Sequence, residues 1–323
     1  MSDTSRLRIG VIGAGVLGGY HADKARKSTA VTLAGIHDLS TERLHAAATK
    51  LGTTAFERIE DLLGAVNAVI VATPASTHRD IALACLRAGR HVLVEKPLAD
   101  SHESGSLLVE EARKRGLVLH VGHSEVFNPA FQKLMSWHPQ PRFMEIHRLA
   151  EFSPRGTDVS VIFDLMVHDL DLVHRLTGEE PRYDAIAAAG VAVLSRDIDI
   201  ANVRLPFPSG CVVNLTASRI STARMRKLRV FQEKNYFSVD LDKREIVRCA
   251  LAAEPTPGRM PFNMSKETID AADALEAEQA AFAQAIASEG APTLGTTGVE
   301  ALHVIKMADV IMAKLSEQQG SEK

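Results

Sequence analysis

From Leu7 to His123 the chain alternates short apolar runs with amphipathic stretches. Leu7 to Ile12, Val31 to His37, Ala68 to Ala72, His91 to Glu95 and Leu117 to Gly122 are rich in Val, Ile and Leu. Their lack of polar alternation predicts strands covered on both faces, as in a parallel sheet. Between them, Leu17 to Lys27, Thr41 to Leu51, Ser76 to Ala88 and Ser101 to Arg115 carry a helical period. Gly52, Gly89 and Gly116 follow three of these stretches, where a glycine C-cap is expected. The alternation predicts a doubly wound α/β domain over residues 1–123.

After Asn128 and Pro129 the pattern changes. Phe143 to Ala150 reads as a strand and Ile162 to Leu176 as a helix ending at Gly178. Longer strands follow at Ala185 to Ser195, Asp199 to Leu205, Cys211 to Ser218, Lys227 to Gln232 and Tyr236 to Asp240. Pro206 to Gly210 suits a hairpin turn. Strands without intervening helices predict an α+β domain over 124–323, with an open, largely antiparallel sheet. Ala271 to Ala287 and Val299 to Leu315 read as closing helices, and Glu254 to Ser265, with its prolines, as an irregular loop.

Composition narrows the class. The chain has 323 residues, 46% hydrophobic and 24% charged, enough for two domains with separate cores. Lys and Arg total 37 against 40 Asp and Glu, which gives no electrostatic case for nucleic acid. Cys85, Cys211 and Cys249 are scattered, so neither a disulfide framework nor a zinc spacing emerges and no metal is expected. No run is long enough for a membrane span, and the polar first residues lack a secretory apolar core. A cytoplasmic location is expected.

The first chemical motif is Gly13-Ala14-Gly15-Val16-Leu17-Gly18, between a strand and a helix. Gly13 permits a tight turn, Gly15 lets the backbone approach a pyrophosphate, and Gly18 allows close helix–strand packing. The helix start, at Val16 and Leu17, offers unpaired N–H groups to phosphates. Asp38 closes the second strand, where a carboxylate binds a ribose diol and repels a 2′-phosphate, favouring NAD over NADP. Thr73 and Pro74 end the fourth strand and should shape the same wall.

The run from Ala72 through Thr73, Pro74 and His78, then His91 to Ala99 with Glu95-Lys96-Pro97, resembles the Gfo/Idh/MocA oxidoreductases over essentially the whole chain. The resemblance implies a Rossmann domain followed by an α/β domain whose sheet mediates homodimers or homotetramers. It implies that Lys96 belongs to the active site, and it makes the Lys96–Pro97 bond a candidate for the cis form. It extends the cofactor set to His78, Glu95, Lys96 and His123. Asp164 and His168, four apart on one helix, match the family's Asp-x-x-x-His element. His168 would accept the proton of an alcohol being oxidised, Lys96 would polarise the hydroxyl, and Asp164 would orient its neighbours.

Val121 to Ala130, Arg155 to Asp169 and Asn214 to Arg219 resemble the nucleotide-sugar branch, which includes UDP-N-acetylglucosamine 3-dehydrogenases. That branch implies a ketone product destined for an aminotransferase and then lipid A or another surface glycan. Glu125, Asn128 and Arg155 join Lys96, Asp164 and His168 as candidate substrate contacts, and Arg219 as a candidate for a diphosphate. Val126 stands where the branch usually carries arginine. Thr157 to Ser160 replaces the glycine-rich approach of inositol dehydrogenases, arguing against that polyol branch. Another sugar or polyol, and a non-catalytic NAD-binding sensor, stand as alternatives.

Overall fold

The computed structural model describes residues 6–152, 160–252, 261–289, 291 and 294–321. Its contacts form two compact units, Met1–Phe127 with Asp273–Leu302, and Asn128–Ala272 with His303–Lys323. A linear division at residue 123 does not contain this return of 273–302.

In the first unit, β1 (Leu7–Ile12), β2 (Val31–His37), β3 (Thr54–Ala55), β4 (Ala68–Val71), β5 (His91–Glu95) and β6 (Leu119–Gly122) are all parallel. Their order is β6-β5-β4-β1-β2-β3, so the winding reverses between β1 and β4. The helices are α1 (Val16–Lys27), α2 (Thr41–Leu51), α3 (Ile59–Ala65), α4 (His78–Arg87) and α5 (His102–Arg115). Ile9, Val11, Ile70 and Leu93 are fully buried, each worth ~1.5–3 kcal/mol relative to exposure. Ser40 caps α2 by accepting the Arg43 amide at 3.3 Å. Gly52 and Gly116 close α2 and α5 in the left-handed region. The sequence pattern left out β3 and α3, which are too short to establish a period.

The second unit begins with α6 (Pro129–Met135) and β7 (Phe143–Leu149). A π-helical turn at Ile162–Met166 leads into α7 (Val167–Thr177). Then come β8 (Ala187–Val191), β9 (Ile200–Pro206), β10 (Val212–Ser218), β11 (Met225–Gln232), β12 (Asn235–Asp240), β13 (Glu245–Leu251) and β14 (Phe262–Thr268). The sheet order is β14-β13-β12-β11-β7-β10-β9-β8. The β7–β10 pair is parallel, and the remaining pairs are antiparallel. The expected hairpin joins β9 to β10, with the Phe207 amide donating to the Cys211 carbonyl at 2.8 Å.

One expectation is corrected here. Phe262 to Ser265, read as loop, begin edge strand β14. All seven residues of this strand are exposed, so it has no alternating burial to leave a trace in the sequence. Its register comes from backbone pairing to β13. Residues 253–260 lie outside the described set.

The chain then returns to the first unit as α8 (Ala274–Ala287), capped by Asp273, whose carboxylate accepts the Glu276 amide at 3.0 Å. Phe282 of α8 is fully buried in one core with Ile9, Ile36 and Leu93. β15 (Thr296–Thr297) adds antiparallel to β6, and α9 (Gly298–Ser321) ends the fold. Among the described residues no helix is long and apolar enough to cross a membrane.

Candidate active site

The glycine loop sits at the carboxyl end of β1, beside the point where the strand order reverses. Gly13 has φ +102°, and a Cβ there would collide with the Ala72 carbonyl. A Cβ at Gly18 would overlap the Gly13 carbonyl oxygen. Above Gly15, by contrast, nothing lies within 4 Å. Two glycines are thus required by the protein itself, and the third leaves open backbone at the head of α1. Val16 and Leu17 are exposed on that first turn. The loop fits a dinucleotide pyrophosphate.

Asp38 follows β2 and reaches back to this loop. Its Oδ2 accepts the Ala14 amide at 2.7 Å, and Oδ1 accepts the Ser40 amide at 2.7 Å and Arg43 Nη2 at 2.8 Å. Burial opposes its charge. The two amides and the guanidinium outweigh burial and hold the carboxyl below its ordinary range. Asp38 is therefore a fixed anion beside the cradle, and the segment after β4 carries the half-buried Thr73 and the exposed Pro74.

His78 is buried, its Nε2 2.9 Å from the Thr73 carbonyl oxygen and its Nδ1 2.7 Å from that of Pro97. It ties the wall segment to the chain just beyond Lys96. The Lys96–Pro97 peptide is cis. Lys96 itself is half-buried. Glu95 turns inward: Oε1 meets His21 Nε2 at 2.6 Å, and Oε2 accepts the Lys96 amide at 3.2 Å. His123 is buried just after β6, and Glu125 is buried in the 3-10 turn Ser124–Phe127. All of these residues belong to the first unit.

Asn128, Asp164 and His168 belong to the second unit. Asn128 caps α6, its Oδ1 accepting the Ala130 amide at 3.0 Å and its Nδ2 donating to the Leu241 carbonyl at 2.9 Å. Asp164 lies in the π-helical turn and His168 at the start of α7, both half-buried. The π turn is a wider winding often found at functional sites. Arg155 lies outside the described residues.

Two buried ion pairs went unread in the sequence. Arg148 points into the core from β7, and its Nε and Nη2 donate to Asp169, beside His168, at 2.7–3.0 Å. On β7 the buried positions alternate as Met144, Ile146, Arg148, so an arginine on an apolar face was the available signal. Arg219 is buried and donates to Asp199 Oδ1 at 2.8 Å and to Ser195 Oγ at 2.9 Å. Its charge is spent on Asp199, which corrects the reading of Arg219 as a diphosphate ligand. Arg224 is paired with Asp242 at 2.8 Å on the surface.

A glycine cradle at the reversal point of a doubly wound sheet, with a mostly antiparallel sheet in a second unit, defines a two-unit protein with a dinucleotide-binding fold. Residues 7–123 match the family model described as "Oxidoreductase family, NAD-binding Rossmann fold", and residues 134–238 match the GFO/IDH/MocA C-terminal domain. The chain belongs to the Gfo/Idh/MocA oxidoreductase family. It is 40% identical to UDP-N-acetylglucosamine 3-dehydrogenase of Acidithiobacillus ferrooxidans over 285 residues, 87% of this chain and 89% of that protein. A solved structure of that enzyme from the same organism superposes with TM-score 0.90 at 37% identity, covering 96% of this chain and 97% of the other. Myo-inositol 2-dehydrogenase of Thermotoga maritima is 29% identical over 72% of this chain and 75% of its own.

Proposed function

We propose that the protein oxidises a sugar hydroxyl with NAD, the substrate being UDP-N-acetylglucosamine and the position C3. The observation that carries this reading is the 40% identity to an enzyme of that name over 87% of the chain. The cradle around Gly13, Gly15 and Gly18 would hold the pyrophosphate, and the fixed charge of Asp38 selects a ribose diol over a 2′-phosphate. Bound NAD supplies the hydride acceptor.

The rest is assigned to side chains of this chain. Lys96 polarises the hydroxyl and stabilises charge developing on its oxygen. His168 accepts the hydroxyl proton at an imidazole nitrogen, a task suited to a group that titrates near neutral pH. Asp164 orients these groups. Thr73, Pro74, His78 and His123 shape the cofactor wall, and Glu125, Asn128 and Arg155 are the further substrate candidates. Three free cysteines favour a reducing, cytoplasmic compartment. The eight-stranded sheet is the proposed surface for a homodimer or homotetramer, and a ketone product calls for an aminotransferase downstream.

The test is NADH absorbance with a panel of UDP-sugars, free sugars and polyols, with a trap for the ketone. Signal confined to UDP-N-acetylglucosamine supports the reading. Signal from myo-inositol instead moves the substrate to a polyol and keeps the chemistry. Lys96→Ala should lower turnover by at least ~10³-fold while NAD binding persists, since a lost charge-stabilising donor costs about 10²–10³ and Lys96 also places the substrate. Wild-type turnover in that variant would remove Lys96 from the reaction.

A further inference from the structure

Helix α8 carries Glu278 into the interior of the first unit. The residue is 2% exposed, and neither carboxylate oxygen has a hydrogen-bond partner. One polar atom each of His21, Glu95 and Glu278 lies within 4.8 Å of the others. The three come from the helix that opens at the glycine loop, the end of β5, and the returning helix. None of the roles proposed above uses His21 or Glu278.

Hydrogen bonds fix the state of two members. Gln279 Nε2 lies 3.0 Å from the His21 carbonyl oxygen and 3.2 Å from His21 Nδ1. The carbonyl requires a donor, so the amide nitrogen faces it and Nδ1 accepts. The ring proton is then on Nε2, which donates to Glu95 Oε1 at 2.6 Å. Glu95 Oε2 accepts the Lys96 amide at 3.2 Å. Gly122 leaves room for it, since a Cβ there would lie 2.8 Å from that oxygen. Glu95 thus has a donor at each oxygen, the surroundings of a carboxylate.

Glu278 has none, the surroundings of a neutral acid. Two carboxyls this close in a buried site do not both ionise. Burial first, and the charge of Glu95 second, raise the Glu278 pKa well above the usual glutamate range. Of the other ionisable groups on elements packed against α8, several are paired or lie at the surface, while Glu125 and His120 are buried. Lys24 of α1 pairs with Asp273, and Arg26 and Lys27 pair with Asp23. His37 of β2 faces the Phe56 carbonyl through Nδ1. Glu125 is in the 3-10 turn and His120 of β6 lies against Phe282. A bridging cation would need the lone pair of His21 Nε2, which instead carries a proton toward Glu95.

We infer that Glu278 is a positioning residue in its neutral form: it closes the pocket around Glu95, which then keeps a single buried charge and holds the Lys96 backbone. The inference rests on the proposed role of Lys96. The protonation it requires is testable without that role. The folded protein holds a proton that the unfolded chain releases above the ordinary glutamate pKa. Stability from this group is therefore fully present at low pH and falls as pH rises toward the folded pKa.

Melting of the full chain is compared for wild type and Glu278→Gln from pH 5 to pH 8. Glutamine mimics the neutral acid and cannot ionise, so the variant should gain several degrees on wild type across that range. Parallel curves, or a variant that loses ground as pH rises, would overturn the neutral state. A stoichiometric divalent metal in the purified wild type, lost in Glu278→Gln, would overturn it in favour of a cation.

Positioning has its own readout on the reacting sugar. Glu278→Ala should lower kcat about tenfold, equivalent to about 1.4 kcal/mol, with KM for NAD within twofold, and Glu278→Gln should restore kcat at pH 7. Unchanged kcat in Glu278→Ala, with Lys96→Ala inactive, sinks the positioning role alone. Full activity in Lys96→Ala sinks the proposed role of Lys96 and leaves the melting result standing.

Discussion

The two units bury acidic side chains in opposite ways. In the second, Asp169 meets Arg148 and Asp199 meets Arg219, and each carboxylate has several donors. In the first, Glu278 faces Glu95 and, among the described residues, pairs with no cation. Comparable burial therefore gives a strongly lowered pKa at Asp199 and a strongly raised one at Glu278. Burial disfavours charge in both places, and what the carboxyl meets decides the outcome. The second unit uses its ions to fasten α7 and the 192–198 loop. The first surrounds Glu95 with a histidine, the Lys96 amide and the acid Glu278.

The largest break in this contrast should come from Arg148→Ala, which strands Asp169 without its guanidinium. The expected loss is about 3–5 kcal/mol in urea unfolding. Arg148→Met with Asp169→Leu should recover most of it, because a packed apolar pair replaces a desolvated ionic one at little cost. A loss below ~1 kcal/mol in the single variant would mean that Asp169 finds other donors and the pair is no anchor.

Asp199 gives a pH-resolved version. Burial raises its pKa, but the Leu194 and Ser195 amides, Arg219 and the Ser195 hydroxyl outweigh burial and depress it far below the usual range. A depressed folded pKa contributes stability present above the unfolded value of about 3.9 and lost as pH falls through the folded one. Wild type should therefore lose melting temperature steeply below about pH 4. Asp199→Asn should start lower at pH 7 and show a flatter acid limb. Its slope has the opposite sense to that of Glu278, whose contribution is lost as pH rises.

What could be read from the chain follows the range of the interactions. The doubly wound sheet was legible because β1, β2, β4 and β5 are rich in Val, Ile and Leu, and Gly52, Gly89 and Gly116 punctuate the helical stretches between strands. The cradle was legible because Gly13, Gly15 and Gly18 fall in one short motif between a strand and a helix. The edge strand β14 was not, since every residue faces solvent and only its pairing with β13 makes it a strand. The π turn under Asp164 is hidden because an i, i+4 spacing reads as an ordinary helix. The His21–Glu95 contact spans 74 residues and the Gln279–His21 contact 258, so no local pattern announces them. Glu278 within an apolar helical stretch was the trace left in the sequence.

Asp38 lies between the two extremes, an anion at the rim held by two amides and one exposed arginine. Asp38→Ala should narrow the preference for NAD over NADP about tenfold, equivalent to ~1.4 kcal/mol, measured as the ratio of the two dissociation constants. It also removes an acceptor from the Ala14 amide, so NAD itself should bind more weakly.

The smallest effect is expected at its partner. Arg43 has a side chain 62% exposed, and such pairs contribute about 0–1 kcal/mol. Arg43→Ala should leave melting nearly unchanged and shift the cofactor preference less than threefold, because the Ala14 and Ser40 amides still hold the carboxylate in place. If instead Arg43→Ala moves the preference as far as Asp38→Ala does, the guanidinium fixes the rim anion. Asp38 would then belong with Asp169, as a carboxylate held by its arginine.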